Sequence, residues 1–293
     1  MSSLSGQKPV FRFAPSPNGR LHLGHALSAM LNHDMAKAVD GRFLLRIEDI
    51  DLTRCTPELE QGIYEDLRWL DLSWEEPVRR QSDHFADYRQ GLETLIGMGL
   101  AYPSFMSRSE TKAFVRNYES NGQIWPRDPD GAALYPPFDK QRPAEEVAAR
   151  LSSNVQHAWR LDMGKAISHL GHSLEWADTG SGERAIIKAD PAAWGDVILS
   201  RSDAPSSYHL SVVLDDALQG ITHVVRGMDL FAATSVHRLL QHLLNLPVPE
   251  YHHHRLVLDD KGRKLSKSIS STGLQALRQQ GHTPSDIRSL LGI

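Results

Sequence analysis

Arg12-Phe13-Ala14-Pro15-Ser16-Pro17-Asn18-Gly19-Arg20-Leu21-His22-Leu23-Gly24-His25 is the stretch on which the fold turns. Val10 to Ala14 reads as a short buried strand, broken at once by Pro15, Pro17 and Gly19. From Leu23 to Val39 the apolar residues take helical spacing, which completes a strand, tight turn and helix. Two histidines flank a glycine where that helix begins. A glycine there lets a nucleotide lie against the backbone, while the helix N-terminus and imidazole N–H groups can meet phosphate oxygens. A proline-rich loop whose histidines merely cap a helix would also contain His22, Gly24 and His25; the whole fourteen-residue string favours the nucleotide.

Working outward, Phe43 to Ile47 gives the next strand and ends in the acidic turn Glu48-Asp49-Ile50-Asp51. Thr56 reads as an N-cap with Pro57 in the first helical position, and Leu59, Ile63, Leu67 and Leu70 line one helix face. Strand and helix alternate, so an α/β fold with a parallel sheet is expected. From Tyr102 to about Ala193, Pro126, Pro129, Pro136-Pro137 and Pro143 interrupt any long element, which predicts an insertion. Val197-Ile198-Leu199, Val212-Val213-Leu214, His223-Val224-Val225 and Leu256 to Leu258 are expected as strands that resume the core sheet, with an amphipathic helix from Thr234 to Leu244. The expected division is two halves of one catalytic domain, 10–101 and 194–258, an inserted subdomain, 102–193, and a lysine loop with short helices, 259–293.

The bulk numbers narrow the class. At 293 residues and 40% hydrophobic the chain can bury a large core. It has neither an apolar run of signal-peptide length nor one approaching a membrane span, so a cytoplasmic protein without membrane contact is expected. One cysteine, Cys55, excludes an internal disulfide and a cysteine-rich zinc site. A net charge of −4 repels a polyanion, so nucleic-acid binding would need a local basic surface. Arg79-Arg80, Arg108 to Arg116 and Lys261 to Lys267 are the candidates.

The last of these contains Lys264-Leu265-Ser266-Lys267-Ser268, whose paired lysines suit the charge that builds on a triphosphate as pyrophosphate leaves. Together, the two segments resemble class I aminoacyl-tRNA synthetases: the first looks like the HIGH motif and the second like KMSKS with leucine for methionine. Arg-x-Ala-Pro-Ser-Pro-x-Gly and Arg46-Ile47-Glu48-Asp49 resemble the glutamyl group, as do Tyr208-His209-Leu210, Val212 to Asp216 and Val225 to Leu230. The resemblance spans residues 10–270 and implies a Rossmann-like parallel-sheet catalytic domain with an inserted subdomain and a short helical C-terminal end. Asn18 stands where threonine is usual in the group. Full glutamyl-tRNA synthetases continue into a helical anticodon-binding region, whereas Ser268 is followed by only 25 residues here. That pattern resembles the glutamyl-Q tRNA(Asp) synthetases, which attach glutamate to queuosine in the anticodon of tRNA(Asp).

The resemblance implies L-glutamate, ATP with Mg²⁺ and queuosine-bearing tRNA(Asp) as partners. Glutamate carries two carboxylates and an ammonium, so its pocket needs cationic donors and an acid. Carried over by position, Arg12 and Arg226 bind the side-chain carboxylate, Glu48 lies near the amino group, Tyr208 is a wall with a donor hydroxyl, and Ala14 and Ser16 add close contacts. Salt bridges within the fold are the alternative for both arginines. His22, His25 and Lys267 are the implied catalytic groups, and Gly24, Lys264, Lys267 and Ser268 the implied ATP contacts. Relatives often hold zinc through Cys-x-Cys after an Ala-Tyr; here Ala101-Tyr102 precedes Pro103-Ser104-Phe105-Met106, so no zinc is expected. His252-His253-His254 is not expected to hold a metal, because consecutive strand residues alternate faces. Other classes remain: a synthetase charging a tRNA 3′ end, a non-catalytic paralogue that binds glutamate or nucleotide, and another HIGH-type nucleotidyltransferase. Pyrophosphate exchange would separate enzyme from paralogue, and the RNA product would separate the synthetases.

Overall fold

A computed structural model describes residues 8–258 and 273–293; Lys264, Lys267 and Ser268 lie outside them. In chain order the strands are β1 (Val10–Phe13), β2 (Arg42–Ile47), β3 (Glu75–Arg80), β4 (Ala101–Ser104), β5 (Ala158–Leu161), β6 (Glu175–Asp178), β7 (Ala185–Lys188), β8 (Ile198–Ser200), β9 (His223–Gly227) and β10 (Glu250–His254). The α-helices are α1 (Leu23–Ala38), α2 (Pro57–Trp69), α3 (Phe85–Gly97), α4 (Arg108–Glu119), α5 (Ala144–Ser152), α6 (Met163–Ser168), α7 (Tyr208–Leu218), α8 (Thr234–Leu243), α9 (Leu274–Gln279) and α10 (Pro284–Leu291).

The main sheet has the order β3-β2-β1-β9-β10-β6-β7 and is parallel except for the β6–β7 pair. Both faces are covered, as a parallel sheet requires. Because side chains alternate along β1, Phe11 and Phe13 join α1, α2, α9 and α10 on one face. Val10 turns to the other, with α3, α7 and α8. Arg12 shares that second face, buried at 4% exposure. The chain leaves β1 towards β2 and β3 on one side and later returns through β9 and β10 on the other. β1 therefore borders a topological switch point, where α/β sheets open a crevice at the strands' carboxyl ends.

The strand–turn–helix start, β2 and the Thr56 cap with Pro57 match the expectations; the Thr56 side chain accepts from the Leu59 amide. Other expectations change. Val212-Val213-Leu214 lies inside α7, capped by Ser207. A three-residue apolar run cannot distinguish a buried strand from a buried helix, and the run continues as helix through Asp215 and Asp216. The strand at Ile198 pairs with β5 in a separate antiparallel sheet, β4-β5-β8, instead of resuming the core. Conversely, β6 and β7, from the proline-interrupted stretch, extend the main sheet beyond β10. Leu256 to Leu258 follows β10, and the three histidines themselves form the end of that strand.

At the position where relatives carry Cys-x-Cys, the donors do not suit zinc. Ser104 Oγ donates to the Ala158 carbonyl at 3.0 Å, and Met106 offers a thioether. A carboxylate organises the turn: Asp139 accepts from the amides of Phe105 at 2.7 Å and Met106 at 3.3 Å, from Arg142 Nε at 2.6 Å, and from the Tyr135 hydroxyl.

Candidate active site

A cavity of about 460 Å³ opens at the carboxyl ends of β1, β2 and β9. Its wall contains Arg12, Ala14, Ser16, His22, Gly24, His25, Glu48, Tyr208 and Arg226, which are all the expected site residues among the described ones. A second cavity of about 540 Å³ shares Ser16, Glu48 and Tyr208 with it and runs towards Tyr135, Arg160 and Arg201 beside the small sheet.

The histidine pair is built by the start of α1. His22 is the extended N-cap, and its Nδ1 accepts the Gly24 N–H at 3.1 Å. His25 Nδ1 reaches back to accept the His22 N–H at 3.2 Å, closing a reciprocal cap with ring centroids 3.9 Å apart. A backbone N–H only donates, so Nδ1 of each ring must carry a lone pair. In the neutral rings the proton therefore sits on Nε2. The same residues thus cap the helix and present Nε2–H donors, so the two alternatives for this motif are compatible. Space at Gly24 is tight: a Cβ would stand 3.0 Å from His22 Cε1, so the ring would have to give by a few tenths of an ångström.

Behind the cavity lies a buried charge cluster whose pairing the sequence did not reveal. Arg12 donates through Nε and Nη2 to the two oxygens of Asp216, at 3.0 and 3.3 Å. Arg46, fully buried, donates to Asp216 at 2.8 Å, Gln219 at 2.9 Å and Glu48 at 3.1 Å. Burial opposes the charge on Asp216, but Arg12 and Arg46 outweigh it and hold the carboxyl below its ordinary range. For Glu48 burial dominates and raises the pKa, with Arg46 and Arg12 offsetting part of the rise. Asp215 accepts from Arg79 at 2.7 Å, Gln81 at 2.8 Å and the Tyr88 hydroxyl at 2.9 Å. Arg80 is likewise paired, with Glu60 at 2.9 Å and Asp49 at 3.3 Å, so Arg79-Arg80 is not an open basic surface. Adjacent acids within an apolar run, Val212 to Asp216, were the available signal for this cluster.

Arg226 differs. Nε donates to His253 Nε2 at 3.1 Å, Nη1 to His237 Nδ1 at 3.1 Å and the Tyr208 hydroxyl at 3.4 Å, and Nη2 to Thr234 Oγ1 at 2.7 Å and the Leu230 carbonyl at 3.2 Å. Those acceptors are all neutral. Among the described residues no carboxylate lies within ion-pairing distance of Arg226, although it is 5% exposed. Since the Tyr208 oxygen accepts from Arg226, its own O–H is left to donate elsewhere. His237 and His253 were not expected in the site; their signal appears only when α8 and β10 are packed together.

A family model described as the catalytic domain of class I tRNA synthetases (E and Q) matches residues 9–292. The chain belongs to the class I tRNA synthetases. It is therefore a ligase, and it is 46% identical over 290 residues to the glutamyl-Q tRNA(Asp) synthetase of Rhodobacter capsulatus, covering 97% of this chain and 100% of that protein. Identity to the glutamate–tRNA ligase of Synechococcus sp. (strain CC9605) is 35% over 286 residues, 96% of this chain but 57% of that synthetase. Among solved structures, the glutamate tRNA ligase of Elizabethkingia meningosepticum in complex with its amino acid superposes with a TM-score of 0.77 at 27% identity, over 95% of this chain and 59% of that one. Like these synthetases, the chain has a mostly parallel Rossmann-like sheet. No helix among the described residues is long and apolar enough to cross a membrane.

Proposed function

We propose that this synthetase activates L-glutamate with ATP and transfers the glutamyl group to queuosine in the anticodon of tRNA(Asp), in the cytoplasm. The observation that carries the glutamate assignment is Arg226, a buried guanidinium beside the cavity with five neutral acceptors and no acid among the described residues. A carboxylic substrate supplies the missing counter-charge, directly or through the Tyr208 hydroxyl that Arg226 polarises. Arg12, already paired with Asp216, contributes its remaining N–H groups and a wall. Glu48 faces the cavity as an acceptor for the α-ammonium, and Ala14 and Ser16 line the approach.

The glutamate α-carboxylate attacks the α-phosphorus of ATP, forming glutamyl-adenylate as the bond to pyrophosphate breaks. No protein nucleophile is needed; positioning and charge stabilisation suffice. In this scheme Nε2–H of His22 and His25 donates to phosphate oxygens, Gly24 keeps the nucleotide close, and Lys264, Lys267 and Ser268 attend the leaving phosphates. Among the described residues no three His, Cys, Asp or Glu side chains are grouped to hold a metal ion. Mg²⁺ bound with the triphosphate would supply phosphate counter-charge. A hydroxyl of the queuosine cyclopentene diol next attacks the activated carbonyl, releasing AMP.

Queuosine is favoured over a tRNA 3′ end because the match to the Rhodobacter capsulatus protein runs the whole length of that relative. Incubation with ATP, labelled glutamate and tRNA(Asp), with and without queuosine, tests both levels. Glutamate-dependent pyrophosphate exchange without tRNA, and label confined to the anticodon of queuosine-bearing tRNA, are expected. Label at the 3′ adenosine would replace queuosine by ordinary charging, and no exchange under any condition would remove the enzymatic assignment.

A further inference from the structure

The imidazoles around Arg226 have a specific protonation pattern. An arginine N–H only donates, so His253 Nε2 and His237 Nδ1 must both present lone pairs to it. The proton of His253 consequently sits on Nδ1 and is donated to Asp178 Oδ2. That of His237 sits on Nε2 and is donated to His209 Nδ1 at 3.2 Å. Both rings thus turn their lone pairs to Arg226 and their protons away. Burial, then the charge of Arg226, lowers both pKa values, that of His253 to about 4, so both rings are neutral near pH 7.

A carboxylate at either histidine position would hold Arg226 as firmly and would also neutralise it. Arg12 and Arg46 have such partners; Arg226 does not. Asp178 is separated from Arg226 by the His253 ring. Glu48 and Asp216 are engaged by Arg46 and Arg12.

We infer that His237 and His253 are specificity-determining positioning residues: they orient Arg226 through neutral acceptors so that its charge stays available to an acidic amino-acid substrate. They do this without touching that substrate. The inference rests on the assignment of Arg226 as the carboxylate ligand.

Isosteric pairs that differ only in charge test it. Asparagine Oδ1 falls where a histidine Nδ1 lies and glutamine Oε1 where an Nε2 lies, so the comparisons are His237→Asn with His237→Asp, and His253→Gln with His253→Glu. Each variant is assayed as full-length protein by pyrophosphate exchange, with separate KM values for glutamate and ATP, kcat and a melting curve. The acidic member of each pair is expected to raise the glutamate KM about a hundredfold above its neutral partner, as removal of a desolvated charge contact does. The ATP KM should stay within a few-fold across each pair. Equal glutamate KM values within both pairs would overturn the inference, as would a matching rise in the ATP KM. If one acidic variant fails to fold, the other site decides. Arg226→Ala distinguishes the levels: wild-type glutamate use there removes Arg226 as a ligand, whereas a crippled Arg226→Ala with indifferent histidine pairs removes only the positioning role.

Discussion

Replacing His22 by asparagine separates two jobs performed by one imidazole. His22 Nδ1 accepts the Gly24 amide at 3.1 Å, while the ring proton is confined to Nε2. Asparagine Oδ1 falls near the Nδ1 position and asparagine is a preferred N-cap, so the start of α1 is retained and stability should change by less than about 0.5 kcal/mol. The Nε2–H donor is lost. If that donor meets charge growing on the α-phosphate, its removal costs about 2.7–4 kcal/mol of transition-state stabilisation, a hundredfold to a thousandfold in rate. His22→Gln should do the reverse: its amide nitrogen reaches towards the Nε2 position, but the Gly24 N–H loses its partner, at a cost of about 1 kcal/mol in stability. His22→Ala should show both losses. Single-turnover adenylate formation at saturating glutamate and ATP, beside urea unfolding, measures the two effects independently. A wild-type rate in His22→Asn would reduce His22 to a helix cap and sink its catalytic role.

Asp216→Asn should destabilise the fold by about 3–5 kcal/mol in urea unfolding, because Arg12 and Arg46 would share an uncharged amide. The exposed pair Arg42–Glu75 should cost no more than about 1 kcal/mol when broken, and equal effects at the two sites would contradict the buried-cluster picture. Asp66 has no hydrogen-bond partner for either oxygen among the described residues, and burial pushes its pKa up to about 6, against Arg278 and Arg20. The folded state holds this proton more tightly than the unfolded chain, so Asp66 lowers stability as pH rises from about 4 to 6; Asp66→Asn should add roughly 1–3 kcal/mol at pH 7 and nothing at pH 4. A gain of equal size at both pH values would point to packing instead. His209 and His253 act in the opposite direction: burial and then Arg226 depress both from 6.5 to about 4, so the unfolded chain binds more protons between these values. Melting temperature should therefore fall as pH drops below 6.5, by an amount equivalent to roughly 1–3 kcal/mol per histidine, and a flat profile from pH 7 to 4.5 in Asp66→Asn would contradict it.

Local chemistry in the sequence was enough for the β1–turn–α1 unit and the Thr56–Pro57 helix start. Prolines, glycines, caps and apolar spacing act between near neighbours, and the nine expected site residues that the structure describes share one cavity wall. The tertiary structure alone decided that Val212 to Leu214 is helical, because a short apolar run is compatible with either element until its packing is known. It also decided that β6 and β7 belong to the main sheet while β8 does not. Charge state depends on such long-range packing too: Arg12 meets Asp216 across 204 positions, whereas Arg226 meets imidazoles brought in by α8 and β10. The resemblance to the glutamyl group marked both arginines as candidate carboxylate binders, with salt bridges within the fold as the alternative. Only the fold assigned one an internal carboxylate and the other neutral acceptors, since a guanidinium's partners are set by the faces that the sheet and helices bring together.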